Sequence, residues 1–286
     1  MTASGKFTAA CIQMRAGCDV AANIDAVSAL VLEAAAGGAD LVMTPEMTSL
    51  LETKSEALFA NTHDEKDDAT LVALRGLAAT RKIWLLIGSL PVKLSATKLA
   101  NRSFLIAPDG VVAARYDKIH MFDVDLAGGE SYRESRNFEP GKQAVVADLP
   151  WGRLGMTICY DLRFPHLYRA LAKAGADFLT VPAAFTRQTG AAHWHMLLQA
   201  RAIETGCYVF APAQGGKHPC GRETFGHSLI VAPWGEIVAE AAHDAPCVLL
   251  AEIDTARIAE ARGRVPSLGH DRAFALPAIK PARQAS

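Results

Sequence analysis

The segment GRLGMTICYDLRFP, residues 152–165, places Cys159 where a buried apolar run ends and a proline-led helix is about to begin. A sulfur at such a junction lies near backbone N–H groups that no helical carbonyl satisfies. At its ordinary pKa a thiol is only a few per cent thiolate at neutral pH, so a nucleophilic cysteine needs a base or a neighbouring cation. Two other residues sit just past apolar runs: Glu46, after Thr44-Pro45, and Lys118, in YDKIH. Taken singly, the glutamate reads as a solvated loop residue, the lysine as a surface charge and the cysteine as packing. Together they supply a nucleophile, a base and a cation, the minimum for acyl transfer through a thiol.

For an amide substrate the roles divide naturally. Glu46 takes the thiol proton and returns it to the leaving nitrogen. Lys118 favours the thiolate and, with the backbone N–H of Tyr160, meets the negative charge that builds on the carbonyl oxygen; losing one such donor commonly costs on the order of 3 kcal/mol. A water activated by the same carboxylate then releases the acid from the thioester. Nothing in this scheme calls for a cofactor. Metal ligation is not expected either, because HWH at 193–195 falls in a helical pattern where side chains two apart diverge, and the six cysteines show no CxxC spacing.

The composition narrows the partners. With 286 residues, a formal net charge of −1 and no charge run, the chain offers neither a nucleic-acid surface nor a polybasic membrane patch. No stretch approaches the ~20 apolar residues of a membrane span, and the first apolar run is broken at Arg15, too early for a signal peptide. Scattered cysteines suit reduced thiols in a cytoplasm. The expected partner is a small molecule or another protein. Without a Gly/Ser/Pro-rich linker, the chain reads as a single domain over residues 1–275 with a proline-containing tail, 276–286.

The elements that must hold these residues follow from apolar periodicity. Strands are expected at 7–14, 39–43, 83–90, 144–148, 153–158, 177–181, 207–213, 226–231, 236–240 and 247–253, with helices at 21–36, 67–80, 165–174 and 190–205. The runs at 101–107 and 111–116 form a hairpin around Pro108-Asp109-Gly110. Residues 117–142 are a long polar loop, a length that tends to be functional. One echo organises the whole: GGADLVMTPEM at 37–47 resembles KAGADFLTVPAAF at 173–185, each a helix end, a buried strand and a proline. Two such halves predict an α/β fold of paired sheets covered by helices, a four-layer α-β-β-α sandwich. Sites in such sheets gather beyond the carboxyl ends of strands, where Glu46, Lys118 and Cys159 all fall.

The segments TPEM, YDKIHMFDVD and GMTICYDLRFP resemble the three ordered motifs of the nitrilase superfamily, the carbon–nitrogen hydrolases with a Glu-Lys-Cys triad, and the similarity runs from about residue 7 to 274. That resemblance implies the same sandwich, homodimers or higher homo-oligomers, and a further catalytic glutamate at Glu134, which holds Lys118 or positions the attacked carbonyl. FDVDLAGGESYRES, the 182–218 region and GRETFGHSLIVAPWGEIVAE are similar to the branch that hydrolyses deaminated glutathione, implying that substrate. Omega-amidases acting on 2-oxoglutaramate or 2-oxosuccinamate share several of these features and stay open as an alternative, as does a catalytically silent binding protein on the same scaffold. At His166 the chain departs from the FPEL of many relatives. Phe185, Thr186 and Arg187, after the second echoed strand, are expected to line the substrate site, with Arg187 gripping a carboxylate. Asp161 and Arg163 are expected to brace the turn after the nucleophile.

Overall fold

A computed structural model describes residues 5–276; all but the first residue of the 276–286 tail lies outside the described residues. The first half of the chain runs β1 (Lys6–Gln13), α1 (Val20–Ala36), β2 (Leu41–Met43), α2 (Ser55–Ala60), α3 (Ala69–Arg81), β3 (Trp84–Lys93), β4 (Leu99–Ile106) and β5 (Val112–Asp117). A small hairpin follows, β6 (Asp123–Asp125) and β7 (Ser131–Arg133). The second half runs β8 (Val145–Leu149), β9 (Gly152–Met156), α4 (Pro165–Lys173), β10 (Phe178–Thr180), α5 (Arg187–Thr205) and β11 (Tyr208–Ala211). It continues through the hairpin β12 (Gly215–Lys217) and β13 (Glu223–Phe225), then β14 (Leu229–Val231), β15 (Ile237–Glu240), β16 (Cys247–Asp254) and α6 (Ala256–Arg264).

Two six-stranded sheets result, ordered β16-β1-β2-β3-β4-β5 and β15-β14-β11-β10-β9-β8. Each has three parallel strands at its centre, β1-β2-β3 in one and β9-β10-β11 in the other, with antiparallel strands outside them. The echo in the sequence is therefore a structural duplication. Asp40 and Asp177 occupy equivalent places: the Asp40 carboxylate accepts from Thr8 N at 2.8 Å, and that of Asp177 from Arg153 N at 3.1 Å, so each aligns its short buried strand against a neighbour.

Period-two alternation assigns the layers. On β1, Phe7, Ala9 and Cys11 point between the sheets and meet Leu154, Met156 and Phe178, whereas Ala10 and Ile12 point outward beneath Val27 and Val31 of α1 and Leu74 of α3. Helices α4 and α5 cover the other sheet, giving the α-β-β-α order. No helix among the described residues is long and apolar enough to cross a membrane.

Three differences from the sequence reading have physical reasons. The strand expected at 83–90 continues to Lys93 through Pro91, because β2 pairs only as far as Leu86; beyond it β3 meets β4 alone, and the missing N–H of Pro91 faces no ladder partner on the other side. Helix α5 begins at Arg187, three residues earlier than its apolar periodicity suggested, since Thr186 caps it. Residues 117–142 are not a bare loop: their middle folds back as the β6–β7 hairpin.

Candidate active site

Glu46 rides on the short loop after β2. Thr44 and Thr48 bond each other through their hydroxyls at 2.7 Å, while Met47 N and Thr48 N donate to Ser89 at 2.9 Å each. This places the loop directly over Gly88, where a β-carbon would come within 2.0 Å of the Thr44 carbonyl oxygen. Only glycine permits that approach, and it coincides with the irregularity in β3 pairing between Ile87 and Leu90. Gly88→Ala is therefore expected to cost on the order of 3 kcal/mol, read by thermal or urea unfolding, and to lower turnover by displacing Glu46.

Lys118 directly follows β5. Its N–H donates to Asn101 O at 2.9 Å and its carbonyl accepts from Gly141 N at 2.8 Å, so its backbone is clamped from both sides. The side chain is 2 % exposed. Its ammonium lies 2.9 Å from Glu46 Oε1 and 2.9 and 2.8 Å from the two oxygens of Glu134. Asn101 Nδ2 bridges the two carboxylates, 2.9 Å from Glu46 and 3.1 Å from Glu134. Phe122 N donates to Glu134 Oε2 at 2.6 Å, and Ala184 N to Glu46 Oε2 at 3.0 Å.

Cys159 opens a tight turn through Arg163 with φ +49°, a left-handed conformation that costs a non-glycine residue roughly 1–3 kcal/mol. Its N–H donates to Pro182 O at 2.9 Å. Asp161, fully buried, ties this turn to the lysine strand: it accepts from Ile158 N at 2.9 Å, Tyr116 Oη at 2.7 Å and His120 N at 3.0 Å, and its Oδ1 lies 2.7 Å from His120 Nδ1. Tyr116 and His120 flank Lys118 in sequence, so one carboxylate sets cysteine and lysine in register. Among the described residues the Tyr160 N–H takes no backbone partner outside its own turn.

The electrostatics follow from burial and pairing. Burial opposes the charge on Glu46, but the Lys118 ammonium, its hydrogen bond, the Cys159 thiol and Arg222 outweigh it and hold the carboxyl below its usual range. Burial likewise opposes the Lys118 charge, yet Glu134 and Glu46 keep that ammonium protonated far above neutrality. The Cys159 thiol is pushed well up, first by burial and then by Glu46, against the opposing effects of Lys118 and the Ala184 N–H. Burial and the nearby carboxylate both favour the thiol over the thiolate at rest. The arrangement can move a proton from sulfur to carboxylate as the sulfur attacks, with a fixed cation beside both.

Glu46, Lys118, Glu134 and Cys159 line one cavity of about 390 Å³ together with Tyr160 and Phe185. Two other expectations are corrected. Thr186 is 2 % exposed and its hydroxyl is spent inside the fold, accepting from Thr189 N at 3.3 Å and bonding the Thr189 hydroxyl at 2.8 Å, as the cap of α5. Arg187, the first residue of that helix, turns away from the cavity onto Glu223 at 3.1 Å and Asp244 at 2.8 Å. Asp161 braces the turn as expected, but Arg163 faces the cavity, its guanidinium 5.9 Å from the Tyr160 ring centre and 5.5 Å from that of Phe185.

Sequence reading also missed Asn101, Tyr132 and Arg222. Asn101 left a signal, an amide side chain within the mostly apolar run of strand β4, where it is fully buried. Tyr132 and Arg222 fall inside the segments FDVDLAGGESYRES and GRETFGHSLIVAPWGEIVAE, but no local pattern singles either out, because each reaches the cavity through the docking of a hairpin. One group among the described residues offers metal-ligand atoms within 4.8 Å of one another: His195, His227 and Glu240. It lies apart from the cavity, and His195 Nε2 is already 2.8 Å from Glu240 Oε1.

The carbon–nitrogen hydrolase family model matches residues 8–263. A deaminated glutathione amidase of Yersinia enterocolitica is 41 % identical over 254 residues, 87 % of this chain and 88 % of that protein. Among solved structures, Saccharomyces cerevisiae Nit3, a member of branch 10 of the nitrilase superfamily, superposes with a TM-score of 0.84 at 28 % identity, covering 96 % of this chain and 98 % of that one. A glutamate-to-glutamine mutant of the amidase from Nesterenkonia sp. AN1, with the acetamide moiety of fluoroacetamide added covalently at its active-site cysteine, superposes at 0.77 with 27 % identity over 91 % of this chain and 95 % of that one.

Proposed function

Because this chain belongs to the carbon–nitrogen hydrolase family, the nitrilase superfamily, we propose that it hydrolyses deaminated glutathione through a thioester on Cys159. The observation that carries the reading is the Lys118 ammonium held between Glu46 and Glu134, with Cys159 lining the same cavity as all three. Deaminated glutathione is a 2-oxoglutaryl group joined by an amide to cysteinylglycine. Its ends are both carboxylates, and its scissile amide lies between them.

In the proposed reaction the Cys159 sulfur attacks the amide carbon while Glu46 takes its proton, so no free thiolate need accumulate. The carbonyl oxygen becomes an oxyanion facing the Lys118 ammonium and the Tyr160 N–H. Glu46 returns the proton to the nitrogen, the C–N bond breaks and cysteinylglycine leaves. Water then gives a proton to Glu46 and attacks the thioester, releasing 2-oxoglutarate and restoring the thiol. Glu134 keeps Lys118 in place throughout. Arg163, in the same turn as the sulfur and stacked beside Phe185, is placed for the carboxylate of the acyl half.

A cytoplasmic setting and a homo-oligomer belong to the same reading: all six cysteines are free, and α5 exposes Met196 and Ile203 to a neighbour. The test is steady-state turnover of deaminated glutathione against 2-oxoglutaramate, 2-oxosuccinamate and simple nitriles. Highest kcat/KM is expected for deaminated glutathione, with 2-oxoglutarate and cysteinylglycine as products. Preference for 2-oxoglutaramate would reassign the enzyme to the omega-amidases.

A further inference from the structure

The aromatic wall of the cavity carries an arginine at each end. Arg163 lies 5.9 Å from the Tyr160 ring centre, Tyr160 meets Phe122 at 5.1 Å, Phe122 meets Tyr132 at 5.1 Å, and the Arg222 guanidinium sits 5.4 Å from the Tyr132 ring centre. Neither arginine has a carboxylate partner among the described residues, whereas Arg133 between them is paired with Asp125 at 2.8 Å. The sequence neighbour of Arg222, Glu223, is committed to Arg187, and the acid that Arg222 acts on, Glu46, is already bonded to Lys118 and Asn101.

Arg222 is held but not satisfied. One of its terminal nitrogens donates to Ala184 O at 2.6 Å, which fixes the guanidinium plane. Its Nε is enclosed by protein with no hydrogen-bond acceptor. A ligand in the cavity therefore meets the terminal amines of Arg222 rather than its Nε, since the residue is only part-buried and lines the cavity. A guanidinium anchored on one side and open on another presents the forked geometry that carboxylates fill.

Its position along the reaction axis is set by Ala184. The carbonyl of that residue takes Arg222, and its N–H takes Glu46 Oε2. Arg222 therefore stands beside the carboxylate that delivers the proton to the leaving nitrogen, while Arg163 stands in the turn of the sulfur that holds the acyl group. We propose that Arg222 forms a second carboxylate subsite, on the leaving-group side, so that the enzyme favours amides whose departing amine ends in a carboxylate over amides that release ammonia. This subsite presupposes the amidase reaction proposed above and names what its leaving group must carry. The ligand class is a 2-oxo acid amide of a short peptide with a free C-terminus. For deaminated glutathione the glycine carboxylate fills it; 2-oxoglutaramate, with the same acyl half, has nothing that reaches it.

The experiment compares three substrates on the wild type, Arg222→Met and Arg222→Lys: deaminated glutathione, the same compound with its glycine carboxylate converted to a neutral primary amide, and 2-oxoglutaramate. In Arg222→Met turnover of both substrates falls, because Arg222 helps hold the Glu46 carboxylate, but the KM for deaminated glutathione is expected to rise on the order of 10- to 100-fold beyond any change for 2-oxoglutaramate, the worth of a charge-assisted contact. Arg222→Lys should recover part of the difference. The wild type should show a KM for the neutral compound raised by a similar factor over that for the acid, a comparison that needs no variant to fold. Equal losses on all three substrates, or wild-type indifference to the glycine carboxylate, would overturn the subsite while leaving the amidase intact. Failure of the wild type to cleave any of the three would instead overturn the amidase reading, and the subsite with it.

Discussion

Cys159→Ala lowers turnover of deaminated glutathione by on the order of 10⁵-fold or more, because the covalent route disappears and only binding and the oxyanion donors remain. Stability is expected to change little, by about 1 kcal/mol. The left-handed backbone at residue 159 strains alanine as it does cysteine, and the turn is held by Asp161 and by the N–H to Pro182 rather than by the sulfur. Intact mass during turnover makes the check sharp, since it should show a 2-oxoglutaryl thioester on the wild type and none on the variant. A variant that folds and still turns over would remove Cys159 from the mechanism. Burial keeps the resting sulfur protonated, and Glu46→Gln removes the carboxylate that takes that proton and returns it to the leaving nitrogen, so this variant should also acylate far more slowly although its cysteine is intact.

Legibility in the sequence followed how local each cause was. The duplication showed through because Gly38-Ala39-Asp40 and Gly175-Ala176-Asp177 solve one local problem twice: leaving a helix through a left-handed glycine, then pinning a short parallel strand with an aspartate. Glu46, Lys118 and Cys159 were visible because each lies within three residues of a strand's end, and Tyr160 because it follows the nucleophile. Arg187 misled for the opposite reason. Its place after the second echoed strand was read correctly, but Thr186 starts the helix early, and the first residue of that helix swings outward to Glu223 and Asp244. Arg163 and Arg222 required knowing which hairpins and rings close over the cavity. That information lies in contacts such as Arg222 on Ala184, 38 residues apart, and in no window of sequence.

The second large effect belongs to Lys118→Met. The change keeps side-chain volume and removes the one cation among the described residues bonded to both the buried Glu46 and the part-buried Glu134, leaving the two joined through Asn101. Breaking a buried ion pair from one side costs about 3–5 kcal/mol, a drop on the order of 10 °C in melting temperature. The pH dependence identifies the cause. In the wild type the Glu46 carboxyl is depressed, so its stabilisation is present above its unfolded pKa and is lost as pH falls through the folded one. Without the ammonium, burial and the neighbouring carboxylate raise at least one of the two pKa values above the unfolded value. That group destabilises the variant near neutrality and relents as it protonates. The gap in stability between variant and wild type should therefore narrow between pH 8 and pH 5. Glu134→Gln leaves Lys118 balanced by Glu46 and should cost far less, while combining it with Lys118→Met should restore part of the stability and none of the activity, because the oxyanion has lost its cation. A Lys118→Met protein as stable as the wild type across that pH range would show that the carboxylates never depended on the lysine.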